Sequence, residues 1–275
     1  IKSSAASDVY KRQGFEYRVI VFSSEEKAKQ AYEEWRVLEE NVWFYPARDL
    51  LFYHADIKGA FLTGKRMEVL RAIVEKKGRE AITVVTTMDA FLDGLPSKEE
   101  LCGNRIKIHA EEALDFQKLQ ENLSILGYER ENQVESPGQF AVRGGILDVF
   151  PLTEENPVRI ELWGDEVDSI RSFDVESQRS TENLQEIEIY PATENWKQME
   201  TESFLAYFPV KETILFLDEP VRLQESAEIV EKEYFHSLES REEAGIEADE
   251  IPIQVEQTDL SLIHISEPTR QAEIS

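Results

Sequence analysis

Residues 139–180 read QFAVRGGILDVFPLTEENPVRIELWGDEVDSIRSFDVESQRS, and the segment NPVRIELWGDEVDSI inside them, residues 156–170, decides the fold. Val158, Ile160 and Leu162 alternate with Arg159, Glu161 and Trp163, the period of two that suits a half-buried strand. Gly164-Asp165 then offers a two-residue turn with glycine at its first central position, as a type II′ hairpin requires. That turn sets Leu162 opposite Val167 and Ile160 opposite Ser169, which predicts one mostly apolar face. Arg159, Glu161 and Trp163 are expected to project together from the other. Upstream, Phe140 and Val142 alternate with Ala141 and Arg143 before Gly144-Gly145. A glycine pair inside a strand marks a bulge or a close backbone approach. It is expected to re-aim Arg143 relative to the strand continuing through Ile146, Leu147 and Val149 to Phe150-Pro151. The stretch reads as two consecutive β-hairpins that carry outward arginines.

Those arginines stand out against the composition. The chain of 275 residues has a formal net charge of −26, with 56 acidic and 30 basic residues. Such a field repels phosphate backbones, so direct nucleic-acid binding requires a local cluster of arginines. It equally disfavours an anionic membrane surface, and no apolar run approaches the length of a membrane span. The length suits about two domains with hydrophobic cores. Cys102 is the single cysteine, which rules out a disulfide within the chain and fits a reducing, cytoplasmic setting.

Both ends differ from what lies between them. Residues 1–13, IKSSAASDVYKRQ, and 261–275, SLIHISEPTRQAEIS, resemble translated sequencing-adapter read-through and lack the periodicity of their neighbours. They are expected to be non-native or disordered tails outside the fold.

Between the tails, strand and helix alternate before the hairpins begin. Strands are expected at 17–22, 42–45 and 81–86. Helices are expected from a Ser23/Glu26 capping box to Glu40, over 65–77, and in a short turn ending near Gly94-Leu95-Pro96. This βαβ order argues for a parallel α/β sheet. After Pro96 come a strand at 105–109, an amphipathic helix at 113–126, the two hairpins, and a closing strand at 187–190. Residues 213–217 resume the α/β pattern, and a helix over 221–241 carries Leu223, Ala227, Val230, Tyr234 and Leu238 on one face. The acidic segment REEAGIEADE that follows reads as a linker.

Several blocks, in order and sensibly spaced, resemble the amino-terminal module of the bacterial transcription-repair coupling factors: YPARDLLFYHADIKG, VVTTMDAFLDGLP, the hairpin region and ILFLDEPVRLQESAEIVEKEY. DVESQRS, residues 174–180, is the most specific of them. The match extends more distantly to the corresponding domain of the excision nuclease subunit UvrB. The resemblance implies an α/β fold, in which a partial RecA-like parallel α/β domain holds an inserted, β-hairpin-rich α+β domain that binds UvrA. The expected divisions are a tail at 1–13, the first part of the RecA-like domain at 14–103, the UvrA-binding insertion at 104–192, a return segment with long helix and acidic linker at 193–260, and a tail at 261–275.

The resemblance also assigns a site. The arginine of VRGG is Arg143, the arginine of NPVRIE is Arg159, and an aromatic four residues further on is Trp163, where the family commonly has phenylalanine. Arginine meets a carboxylate bidentately, and arginines and aromatics dominate interface hot spots. On the residues alone, Arg143 and Arg159 are equally ordinary surface pairs with Glu161 or Asp148, worth little. The implied partner is UvrA, bound by a monomer that lacks catalytic residues, cofactor and metal of its own. RNA polymerase, double-stranded DNA, ATP and Mg²⁺ belong, on the same resemblance, to polymerase-interacting and motor domains that would follow residue 260. A carboxy-terminal domain that masks the UvrA-binding face would also be absent, so binding is expected to be constitutive.

Two other functions have partial support. Gly59 to Arg66, GAFLTGKR, nearly matches the phosphate-binding pattern G-x-x-x-x-G-K-[ST], and Asp218-Glu219 end a strand-like ILFLDE, as in a P-loop ATPase. Arg66, however, stands where a Mg²⁺-ligating hydroxyl is needed. Lys65 and Arg66 read equally well as the solvated face of a helix. A UvrB-type damage-binding module would need an aromatic-rich DNA-binding hairpin in the first domain, and residues 45–71 leave no room for it. His54, His109 and His236 are isolated, without zinc or triad spacing.

Overall fold

A computed structural model of the chain describes residues 15–48, 57–78, 80–193 and 201–243. The expected tails at 1–13 and 261–275, and the acidic linker beyond residue 243, lie outside the described residues.

The parallel sheet is formed by β1 (Tyr17–Phe22), β2 (Val42–Tyr45), β3 (Ile82–Thr87) and β14 (Thr213–Leu217), in the order β14-β1-β3-β2. Every neighbouring pair is parallel. The two faces are covered by different helices, which explains why these strands are apolar on both sides. On one face, α1 (Glu25–Trp35) packs Ala28, Tyr32 and Trp35 against Ile20, Val42 and Val85. On the other, α2 (Ile57–Val74) and α6 (Pro220–Glu243) bring Met67, Leu70, Ile73 and Leu223 against Val19, Val21 and Val84. Of the expected α6 stripe, Leu223, Ala227 and Val230 reach this core; the side chains of Tyr234 and Leu238 lie outside the described residues.

Three helices differ from expectation. The first is capped by Ser24, one residue later than Ser23, and ends at Trp35, so 36–40 form turns instead of a further helical turn. The second begins eight residues before Lys65 and absorbs all of GAFLTGKR. A short helix, α4 (Lys98–Gly103), was not expected, although Ser97 and Glu100 form its full capping box. Around it, α3 (Met88–Phe91) leads into β4 (Gly94–Pro96), which pairs antiparallel with β13 (Thr201–Ser203).

The second core belongs to a sheet of six strands: β6 (Glu129–Glu131), β7 (Gln139–Arg143), β8 (Ile146–Val149), β9 (Val158–Trp163), β10 (Glu166–Phe173) and β11 (Ser180–Leu184). They lie in the order β11-β10-β9-β8-β7-β6, antiparallel except for β6 with β7. One helix, α5 (Phe116–Ile125), capped by Asp115, lays Leu119 and Leu123 on the apolar face formed by Phe140, Leu147, Val149, Ile160 and Ile170. The chain enters this body along β5 (Ile106–His109) and leaves along β12 (Glu186–Ile189), which pair antiparallel side by side.

Candidate docking face of the six-stranded sheet

The apolar face of β7–β10 is spent on α5, so the opposite face carries what remains: Ala141, Arg143, Asp148, Arg159, Glu161, Trp163 and Arg171. Two glycine-led turns set its geometry. Gly164 has φ +66° and Gly144 φ +62°, while Asp165 and Gly145 stay out of the left-handed region. Both connections are therefore two-residue turns with the strained position at the first glycine. The Gly144-Gly145 pair is thus the turn of the first hairpin, pairing Arg143 with Ile146, and not a bulge within a strand. Its expected close approach is real: the Leu162 amide donates to the Gly145 carbonyl at 2.9 Å.

In the second hairpin, Leu162 pairs with Val167 as expected, but Ile160 pairs with Ile170 instead of Ser169. The register shifts between Val167 and Ser169, leaving Asp168 as the extra residue. A segment from outside the hairpin accompanies the shift. Residues 111–114 lie alongside β10, where Glu111 donates to the Val167 carbonyl at 2.8 Å and Val167 donates to the Glu112 carbonyl at 2.9 Å. The shift faces Ile160 with an apolar residue and places Ser169 beside Glu161, within 3.3 Å.

On the open face, the cross-strand register lines up Ala141, Asp148, Arg159 and Arg171. Asp148 is 1% exposed, and both arginines converge on it. Arg159 Nε donates to Oδ1 at 2.6 Å and Nη2 donates to Oδ2 at 2.9 Å, a bidentate fork. Arg143 Nη2 donates to Oδ2 at 2.6 Å. The fork raises the Arg159 pKa above its ordinary value, against the opposing effect of burial. Arg159 also lies over the Phe173 ring, 4.5 Å from its centroid, and reaches Gln178 Oε1 at 3.4 Å. Its side chain is 17% exposed against 50% for Arg143. Glu161 is taken by Arg171. Trp163, at the end of β9, is 85% exposed.

The expected trio thus shares one face, but not one environment: Arg143 is half open, Arg159 largely covered and Trp163 almost bare. Of the two partners weighed for the arginines, Asp148 takes both and Glu161 neither. Phe173 and Gln178 escaped the sequence reading. The signal for Gln178 was DVESQRS: Asp174 accepts from the Ser177 amide at 2.8 Å and hydroxyl at 2.6 Å, which closes a turn with Gln178 at φ +58° beside Arg159. Those bonds hold the Asp174 carboxyl below its ordinary pKa.

The ATPase elements come apart in this geometry. Residues 59–66 are helical throughout, so they do not form the open, glycine-rich loop that cradles phosphate. Arg66 is not on a solvated face, as expected with Lys65, but 1% exposed. It donates to the Pro46 carbonyl at 2.7 Å, pairs with Asp93 at 2.8 Å and stacks on Tyr45. Lys65 is exposed and pairs with Glu68. Glu219 is paired with Lys27 at 2.5 Å, with Asp218 at 3.6 Å from the same ammonium. That pairing holds the Glu219 pKa below its ordinary value. Among the described residues, no group of three or more His, Cys, Asp or Glu is placed to hold a metal ion.

Residues 106–195 match the family model of the UvrB interaction domain. The chain is 38% identical over 156 residues to a transcription-repair-coupling factor of Bacillus subtilis and 34% identical over 155 residues to one of Staphylococcus aureus. The chain is thus similar to a short segment of transcription-repair-coupling factors, and residues 106–195 to a UvrB interaction domain. The alignments cover 57% and 56% of the chain and 13% of each relative. The arginine clamp, the exposed tryptophan and the DVESQRS turn all lie within the residues that match this family model. Among the described residues, no helix is long and apolar enough to cross a membrane.

Proposed function

We propose that the chain is a docking module that recruits UvrA in transcription-coupled nucleotide excision repair, with Arg143, Arg159 and Trp163 as its contact residues. The observation that carries this reading is the convergence of two guanidinium groups on one buried carboxylate, on the face of a UvrB interaction domain that also exposes a tryptophan. Arginine and aromatic side chains on an otherwise acidic protein suit an acidic protein surface better than nucleic acid. In this reading the chain acts as a cytoplasmic monomer, performs no catalysis, and holds neither cofactor nor metal. RNA polymerase engagement, DNA translocation and ATP hydrolysis belong to other parts of a full-length coupling factor. Binding is constitutive unless another domain covers the sheet face.

The test is co-purification with UvrA. The parent chain is expected to retain UvrA at moderate salt and to release it as salt rises, while the Trp163→Ala variant retains less. Equal retention by the parent and by an Arg143→Ala/Arg159→Ala double variant would overturn the assignment of the site.

A further inference from the structure

Asp148 was the least prominent residue of the site in the sequence and is the most constrained one in the fold. It sits on β8 with Ala141 on one neighbouring strand and Arg159 on the other, and its side chain is 2% exposed. Three donors from two arginines converge on its two oxygens. Two cations on one anion leave one net positive charge. Glu161, the other carboxylate on this face of β9, is already occupied by Arg171.

The two arginines are held very differently. Arg159 is fixed by a two-point fork, by the Phe173 ring beneath it and by Gln178. The Arg143 side chain gives Asp148 one donor and, among the described residues, makes no other hydrogen bond. Half of its side chain is open to solvent. Its remaining donors are thus available to an incoming acceptor without breaking the contact with Asp148. A guanidinium has five donors in a planar fork, so it can hold an internal carboxylate on one edge and an external one on another.

We infer that Asp148 is a positioning residue of the docking patch. Resting on the UvrA-docking reading, this makes Arg143 the outward contact for a single carboxylate of the partner and Arg159 the brace that orients it. The arrangement is pre-organised: ordering of the long side chains is completed by the fold before the partner arrives, which lowers the entropy cost of association. The net charge of the patch is also set by Asp148, because without it two unpaired cations would face the partner.

The test uses the whole chain and surface-attached UvrA, with association and dissociation recorded separately across a salt series. Asp148→Asn removes the internal anion while nearly preserving shape. The folded variant is expected to dissociate about tenfold faster than the parent, with a steeper salt dependence and an association rate no slower at low salt. Reduced folding alone would lower the bound amplitude without changing the dissociation rate of the molecules that bind. A parent-like dissociation rate and salt slope therefore overturn the inference. If Asp148→Asn shows no cooperative thermal transition, the pair Arg159→Lys and Arg171→Lys decides. Both keep the charge on the same face, but only Arg159→Lys destroys the fork on Asp148 and the stacking on Phe173, whereas Arg171 pairs with Glu161. Dissociation about tenfold faster for Arg159→Lys, with Arg171→Lys within about threefold of the parent, supports the inference. Equal effects of the two overturn it. Failure of the parent to bind UvrA at all overturns the docking reading, and this inference with it.

Discussion

Removing Arg159 and removing Arg143 leave different things behind. Without Arg159, Asp148 keeps a single donor in a site closed to water, and the Phe173 ring loses its cover. Charge-assisted hydrogen bonds to a buried group are worth more than surface pairs, so Arg159→Ala is expected to destabilise the fold by about 2 kcal/mol. Arg143 is half exposed, and Arg143→Ala should change stability by less than about 0.5 kcal/mol. Denaturant unfolding monitored by tryptophan fluorescence checks both; similar losses would contradict the division of labour. Asp174 gives a pH prediction. Its folded pKa lies below the ordinary carboxylate value, so its contribution is fully present above that value and is lost as pH falls through the lowered folded value. Protection of the Ser177 amide, measured against its intrinsic exchange rate at each pH, should accordingly fall as pH drops below the ordinary carboxylate range, and Asp174→Asn should show the low protection already at neutral pH. At this scale the arginines were legible because charged residues alternate with apolar ones along β9. Asp148 was visible only as one of two candidate partners. The choice between it and Glu161 depends on cross-strand register, which no single strand's pattern contains.

Single elements were legible where local chemistry decided them and obscure where a distant segment did. The strands β1, β2 and β14 follow from short apolar, β-branched and aromatic runs, and the Gly164 turn follows from its own two residues. The shifted register at Asp168 does not, because the segment at 111–114 that accompanies it lies outside the hairpin. The helix α2 is longer than its apolar spacing predicts, because GAFLTGKR has the glycine pattern of a loop yet folds as helix. Its second glycine has a packing reason: a Cβ built on Gly64 would lie 3.0 Å from the Leu152 carbonyl oxygen. Close approach of a helix to a neighbouring backbone is a use of glycine unrelated to phosphate. Gly64→Val is expected to destabilise the protein by about 1–3 kcal/mol through overpacking at this contact. A thermal transition unchanged from the parent would refute that origin of the glycine. Titration with Mg-ATP should give no heat, since residues 59–66 are helix instead of an open phosphate-binding loop.

In the whole molecule, the two cores are joined by polar contacts along the inner side of α2 and the residues just beyond it. Arg71 reaches Glu154 at 2.8 Å, and Glu75 accepts from the Tyr190 hydroxyl at 2.5 Å with Arg105 nearby at 3.7 Å. The formal charge of −26 surrounds a patch whose arginines carry one unneutralised positive charge, which favours an acidic protein partner reached at short range. Composition argued against a nucleic-acid partner, and block order suggested an insertion. What composition could not show is that two of the few basic side chains share one carboxylate. The most direct measurement is the dissociation constant of the chain for purified UvrA, compared with that of the Arg143→Ala/Arg159→Ala variant at one salt concentration. At about 2 kcal/mol per hot-spot arginine, weakening of several hundred-fold or more is predicted, with the variant still cooperatively folded. Binding of the folded double variant within about threefold of the parent would contradict the account.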